Sequence, residues 1–110
     1  MKDYNDLGQD ELELAYLCKE AFQKEYHLKR AFDYFSLSDS CEGWYNLALC
    51  YQYGEGCLVD EKKAVTLFER ASMVQYLPAM FQLSRCYLQG RGCDLNQVKA
   101  YQLMSEVAPD

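Results

Sequence analysis

Histidine occurs only once in the 110 residues, as His27, and the spacing assigns it no serine or cysteine partner. A nucleophilic catalytic site needs a base beside its nucleophile, so the sequence does not predict one. The six cysteines include no Cys-x-x-Cys pair, which argues against a zinc site. We therefore expect that the protein is not an enzyme and that it binds no cofactor or metal.

Basic residues are also few, with 11 lysines and arginines against 17 acidic residues and a net charge of −6. Phosphate groups repel such a chain, which argues against nucleic acid and anionic membranes as partners. The acidic residues of positions 1–27 are explained by a solvated first helix or, as the alternative, by attraction to a basic protein or peptide. No apolar run approaches the length of a membrane span, and the polar residues 1–6 do not resemble a signal peptide. We expect a soluble, cytoplasmic protein.

Apolar residues make up half of the chain, and one stretch of them occurs twice. Residues 47–57 are matched by residues 83–93 at an offset of 36, and seven of the eleven positions are identical or nearly so. A fixed period of this length is typical of stacked structural repeats. The sequence therefore predicts a repeat architecture within a single domain.

Hydrophobic spacing predicts six helices that form three hairpins. In the first hairpin, residues 1–9 are expected to be a leader with Gly8 as a breaker, and Asp10 to cap the first helix. A break at Tyr26 and His27 should precede the second helix. Each later helix is bounded by residues suited to ending or capping it: Asp39 or Ser40, Gly54, Asp60, Pro78, Gly90 and Asn96.

The first hairpin matches the second at an offset of 33, where residues 14–15 correspond to 47–48 and residues 29–31 to 62–64. Both turn glycines are missing from it, as is common in a terminal repeat with one side in solvent. We therefore divide the single domain, residues 1–110, into a degenerate first repeat, a second repeat and a third repeat: 10–40, 41–76 and 77–108.

The repeated pattern is Leu-small-x-x-Tyr in a helix, then Gly-x-Gly, a polar cap and Lys-Ala. It resembles the Sel1-like repeat (SLR), a helical-hairpin relative of the tetratricopeptide repeat (TPR). The resemblance implies an all-α, right-handed α-solenoid and a role as an adaptor in protein complexes. The second repeat carries it at Leu47, Ala48, Tyr51, Gly54, Gly56, Asp60, Lys63, Ala64 and Phe68, and the third at Ala79, Leu83, Ser84, Tyr87, Gly90, Gly92, Asn96, Lys99, Ala100 and Ala108.

Two pairs of cysteines share one spacing, Cys50 with Cys57 and Cys86 with Cys93. They can be buried thiols or, under oxidation, bonded pairs if their α-carbons come within about 7 Å. Secreted members of the SLR family join successive hairpins by disulfides, and residues 71–79 contain no cysteine. The resemblance therefore argues against the secreted type.

The expected partner-binding surface consists of residues on the first helix of each hairpin that point away from the core. Such helices line the concave side of SLR solenoids, so the resemblance implies one apolar and aromatic groove. The alternative is that Trp44, Tyr45 and Phe81 complete the core between repeats. The expected surface comprises Tyr16, Tyr45, Leu49, Gln52, Tyr53, Phe81, Arg85, Leu88 and Gln89.

Three functional hypotheses follow from these observations. The first is an adaptor or scaffold that binds a protein or peptide on its concave face. The second is a small acidic inhibitor, of the kind that acts as an immunity protein against one enzyme or toxin. An enzyme is the least supported, because no catalytic constellation is present. The repeats also leave apolar end faces, through which copies of the chain could associate.

Overall fold

Six helices form three hairpins in the part of the chain that a computed structural model describes, residues 1–107. No strand occurs among these residues, so the all-α prediction is confirmed. The hairpins stack into an α-solenoid in which α2 packs on α3 and α4 packs on α5. Ala108, assigned to the third repeat, lies outside the described residues. The helices are α1 Tyr4–Leu17, α2 Ala21–Ser36, α3 Cys41–Tyr53, α4 Glu61–Met73, α5 Leu77–Gln89 and α6 Gln97–Val107.

The second and third hairpins begin and end where their capping residues predict. Ser40 and Asp60 accept hydrogen bonds from main-chain N–H groups in the first turns of α3 and α4, and Asn96 does so for α6. Gly54 and Gly90 end α3 and α5 in the left-handed conformation, with φ of +71° and +65°. None of the six helices is long and apolar enough to span a bilayer.

The predicted leader is wrong, because α1 begins at Tyr4 and uses Asp3, not Asp10, as its cap. Gly8 is not a breaker; it lies buried inside the helix, where the ring of Phe35 occupies the space of a side chain. A Cβ at this position would come within 2.6 Å of Phe35 Cδ1. A small residue was needed there for packing, and the pattern of α1 alone does not show this.

The break predicted at Tyr26 and His27 is also wrong, because α2 runs through both residues and the turn falls at residues 18–20. The Glu11 carboxylate of α1 accepts hydrogen bonds from His27 Nδ1 at 2.7 Å and Arg30 Nε at 3.0 Å. These contacts hold a polar side of α2 against α1. Polar residues therefore occupy positions where the hydrophobic pattern requires apolar ones.

Small residues at corresponding positions let the two helices of each hairpin approach closely. All of them are at most 1% exposed, in agreement with the offsets of 33 and 36 between the repeats. Large side chains then fill the space beside them, and Phe35 and Phe68 are fully buried. The small residues are Ala15, Ala48 and Ser84 in the first helices and Ala31, Ala64 and Ala100 in the second helices.

The second glycine of each Gly-x-Gly turn rests on the backbone of the preceding hairpin. A Cβ at Gly56 would lie 2.8 Å from the carbonyl carbon of Leu28, and one at Gly92 would lie 2.6 Å from that of Glu61. Both glycines have φ of +76°. No side chain fits at either place without separating the hairpins. We call this arrangement, a turn glycine on the preceding backbone, the turn joint.

Candidate partner-binding surface

Of the four residues expected on the middle hairpin, three are largely taken up by packing within the stack: Tyr45, Leu49 and Gln52. The ring of Tyr45 lies 5.9 Å from that of Phe68 and 5.5 Å from that of Tyr76, which precedes α5. Leu49 packs against the same core, and Gln52 is only 8% exposed. At this hairpin the alternative interpretation, in which these side chains complete the core, describes the geometry better than an open groove does.

The same positions on the third hairpin are open. Phe81, 36 residues after Tyr45, is 46% exposed, and Arg85 and Gln89 are exposed as well. Leu88, the counterpart of Gln52, is partly exposed. Among residues 1–107 no hairpin follows the third to cover them. Four of the expected residues thus share one accessible side of α5.

The two remaining expected residues are exposed tyrosines that lie apart from those on α5. Tyr53 is 58% exposed at the end of α3. Tyr16 has the same exposure, but its hydroxyl donates a hydrogen bond to the Glu55 carboxylate in the turn of the second hairpin. This bond raises the pKa of Tyr16 to about 12. The Tyr16 hydroxyl thus links the first and second hairpins, and Lys24 Nζ lies 5.6 Å from the centre of its ring.

The last helix adds exposed residues that the sequence pattern did not indicate. Tyr101 is 59% exposed, whereas its counterpart Val65, 36 residues earlier, is 4% exposed. Met104 is partly exposed, whereas its counterpart Phe68 is fully buried. Comparing the same position across repeats predicts that both are buried, so the sequence carried no signal of their exposure. We define the end face as the exposed side of the third hairpin formed by Phe81, Arg85 and Leu88 of α5 and by Gln97, Tyr101 and Met104 of α6.

A shallow groove of about 350 Å³ lies where α4, α5 and α6 meet. Leu83, Tyr87 and Leu103 line it with Glu69, and Lys99 Nζ lies 5.5 Å from the centre of the Tyr87 ring. The second hairpin has the same cation–π pair, Lys63 over Tyr51, at 5.3 Å. Because it recurs in two hairpins, the pair belongs to the repeated frame and indicates no site specific to the third.

No cluster with the composition of a metal site is found within residues 1–107. No group of three or more His, Cys, Asp or Glu side chains there could hold a metal ion. All six cysteines are free thiols. Burial raises the pKa of Cys50 to about 12 and that of Cys86 to about 11, so both are protonated and poorly nucleophilic at neutral pH.

Comparison with known proteins agrees with the repeat geometry. A model of the Sel1 repeat matches residues 45–74 and 77–106. The crystal structure of a Sel1 repeat protein from Oxalobacter formigenes is similar, with a TM-score of 0.73 and 18% identity over 96% of this chain and 86% of that one. None of the curated proteins matches the sequence significantly. The two family matches fall on the second and third hairpins and cover more than half of the sequence, so the chain belongs to the Sel1 repeat family.

Proposed function

We propose that this protein is a non-enzymatic adaptor that binds another protein or a peptide through the exposed side of α5 and the end of α3. Sel1 repeats generally mediate protein–protein interactions, which supports an adaptor over an enzyme. The binding surface in this proposal is the accessible part of the set expected on the concave face, and on α5 it coincides with the end face. Its residues are the exposed members of the expected set, Tyr53, Phe81, Arg85, Leu88 and Gln89.

The observation that carries the proposal is the exposure of Phe81. Its counterpart in the second hairpin, Tyr45, packs against Phe68 and Tyr76, whereas 46% of the Phe81 surface is open to solvent. Aromatic residues, phenylalanine included, and arginine are enriched in protein–protein interfaces. Arg85 lies one helical turn from Phe81 and supplies the arginine.

A pair of substitutions on α5 tests the proposal. Phe81→Ala combined with Arg85→Ala should abolish capture of partners from the source cell, as identified by mass spectrometry of the bound proteins. The matched control is Phe22→Ala, which removes an 84% exposed ring from α2 at the other end of the stack. Circular dichroism should show the same helicity in all three proteins. A folded double variant that captures the same proteins as the parent would refute the proposed surface.

The net charge of −6 supports a second candidate, an acidic inhibitor that neutralises one basic enzyme or toxin. Interactions between opposite net charges weaken steeply as salt screens them. The affinity for the captured partner, measured at low and high salt, therefore separates the two candidates. An inhibitor of this kind should lose most of its affinity at high salt, whereas binding centred on Phe81 should change little.

We propose the cytoplasm as the compartment. The support is that Cys50 and Cys86 are buried free thiols, each within the contact between two hairpins. Secreted small domains generally use cysteine for disulfides, and these positions use it as a small apolar residue.

A further inference from the structure

The two turn joints of the stack have the same construction, and it can be described residue by residue. In each, the second turn glycine touches a main-chain carbonyl of the preceding hairpin, Leu28 for Gly56 and Glu61 for Gly92. The side chain four residues after that carbonyl closes the joint. It is Phe32 in the first joint, where its ring meets that of Tyr51 edge-on at 5.4 Å.

The end face has the same two elements on which a turn glycine rests, a main-chain carbonyl and a side chain four residues later, placed 36 residues further along the chain. Gln97 follows Glu61 by 36 residues, and Tyr101, four residues later, is aromatic like Phe32. Tyr101 is 59% exposed, whereas Val65, which holds this position one repeat earlier, is 4% exposed. On α5, Phe81 is similarly open. The third hairpin therefore carries the receiving half of a turn joint.

We infer that the end face is a docking site for a hairpin of the same repeat type on a partner protein, one whose turn reads Tyr-x-x-Gly-x-Gly. The glycine is required because only its backbone can rest on the Gln97 carbonyl, as Gly56 and Gly92 do on theirs. The tyrosine is required because Tyr101 takes the place of Phe32, whose ring packs on Tyr51. This inference rests on the proposed adaptor function and names the class of its partner.

A second copy of this chain does not satisfy these requirements. The hairpin that it would present is α1–α2, whose turn at residues 18–20 contains no glycine. At the offset of 33, the position of Gly56 is held by Gln23, which lies inside α2. The two Gly-x-Gly turns of the copy are already seated on Leu28 and Glu61. A second copy of residues 1–107 therefore lacks the free Gly-x-Gly turn that the end face requires.

A tandem protein tests the geometry of the joint. It consists of the full chain followed directly by a second copy of residues 75–107, which continues the 36-residue register. We expect one cooperative unfolding transition at a higher Tm than that of the parent, and protection of Phe81 and Tyr101 from oxidative labelling. Changing only the appended copy of Gly92 to valine should remove both effects. An appended hairpin that melts separately, with Tyr101 labelled as in the parent, would overturn the inference.

A binding experiment between two separate chains tests whether a hairpin on another protein can dock on the end face. The probe carries residues 41–76 in place of residues 1–40, and Tyr101→Lys keeps the probe from binding itself. The probe is titrated into the labelled parent chain and binding is followed by NMR, which detects interactions as weak as a Kd of about 1 mM. It should shift the Phe81 and Tyr101 signals. Tyr101→Lys in the parent should abolish these shifts. A probe that is folded by circular dichroism but causes none would overturn the inference.

The parent chain serves as its own control. It should remain monomeric by sedimentation, and self-association that Tyr101→Lys abolishes would make a second copy the occupant and overturn the inference. Both tests use defined proteins and need no cellular partner. If they fail while the Phe81 and Arg85 variants still lose their captured partner, only the docked-hairpin inference is wrong. If partner capture survives those variants while the tandem protein forms its joint, only the proposed binding surface is wrong.

Discussion

Gly90 and Gly92 form a matched pair that separates the cost of a turn conformation from the cost of breaking a turn joint. Both have positive φ, +65° and +76°, so alanine is strained at either position. Their surroundings differ. A Cβ at Gly90 would meet Leu95 Cβ at 3.4 Å, an ordinary contact, whereas one at Gly92 would lie 2.6 Å from the Glu61 carbonyl carbon.

The magnitudes follow from these two environments. Gly90→Ala should cost about 1 kcal/mol of unfolding free energy, the penalty of the left-handed conformation for a residue with a Cβ. Gly92→Ala carries the same penalty plus about 1–3 kcal/mol for inserting an atom into a packed contact. The Glu61 carbonyl belongs to the first turn of α4, so it cannot rotate away as a flexible side chain could. The whole third hairpin must move.

Thermal unfolding followed by circular dichroism measures both variants against the parent protein. Each kcal/mol should lower Tm by roughly 4 °C or more in a domain of this size, so the difference between the variants is well within reach of the assay. The contrast between the two glycines is what matters, because the conformational penalty is common to both. Equal losses of stability would show that the close backbone approach at Gly92 carries no energy, and the turn joint would lose its physical basis.

Two further predictions concern ionisable groups. Because burial raises the pKa of Cys50 to about 12 and that of Cys86 to about 11, both should resist iodoacetamide at about pH 8 until the chain unfolds. Peptide mass mapping checks this, and modification of the native protein at the unfolded rate would contradict it. Burial opposes ionisation of Glu11, but hydrogen bonds from His27 and Arg30 outweigh it and the pKa is lowered. The resulting stability is present above the ordinary carboxyl pKa and lost as pH falls through the folded-state pKa, so Glu11→Gln should destabilise at neutral pH and weaken the acid dependence below about pH 5. Urea titrations across this range would refute it if the variant kept the acid dependence of the parent.

The second and third hairpins were predictable because their signals are local. A cap such as Asp60 acts on the main chain three residues away, and Gly54 ends its own helix. The first hairpin was predicted wrongly because its determinants lie far apart in sequence. Gly8 fits under Phe35, and His27 is held by Glu11. The hydrophobic periodicity of one helix does not report contacts that its residues make with another helix.

The repeat register predicted which residues of the candidate site occupy equivalent positions, but it did not predict which of them are exposed. The pattern places Tyr45 and Phe81 at the same position of successive hairpins, and the structure agrees. What the register does not contain is whether another hairpin follows. Tyr45 is covered by the start of α5 and Phe81 is open, although the two local sequences predict equal exposure. Accessibility in a stack depends on the neighbouring repeat, so it has to be read from the structure.

This dependence also explains why the third hairpin can carry Arg85 where the second carries Leu49. Leu49 packs against the buried core, and an unpaired guanidinium in that place would be costly. At the open end the charge stays in water and costs little. A hairpin that docks on the end face must therefore either leave Arg85 a path to solvent or bring a carboxylate to it, as Glu61 does for Arg91 at 3.3 Å. The requirement for a turn glycine can be met by many hairpins of this repeat type. Arg85 restricts docking to those hairpins that leave its guanidinium in water or supply a carboxylate.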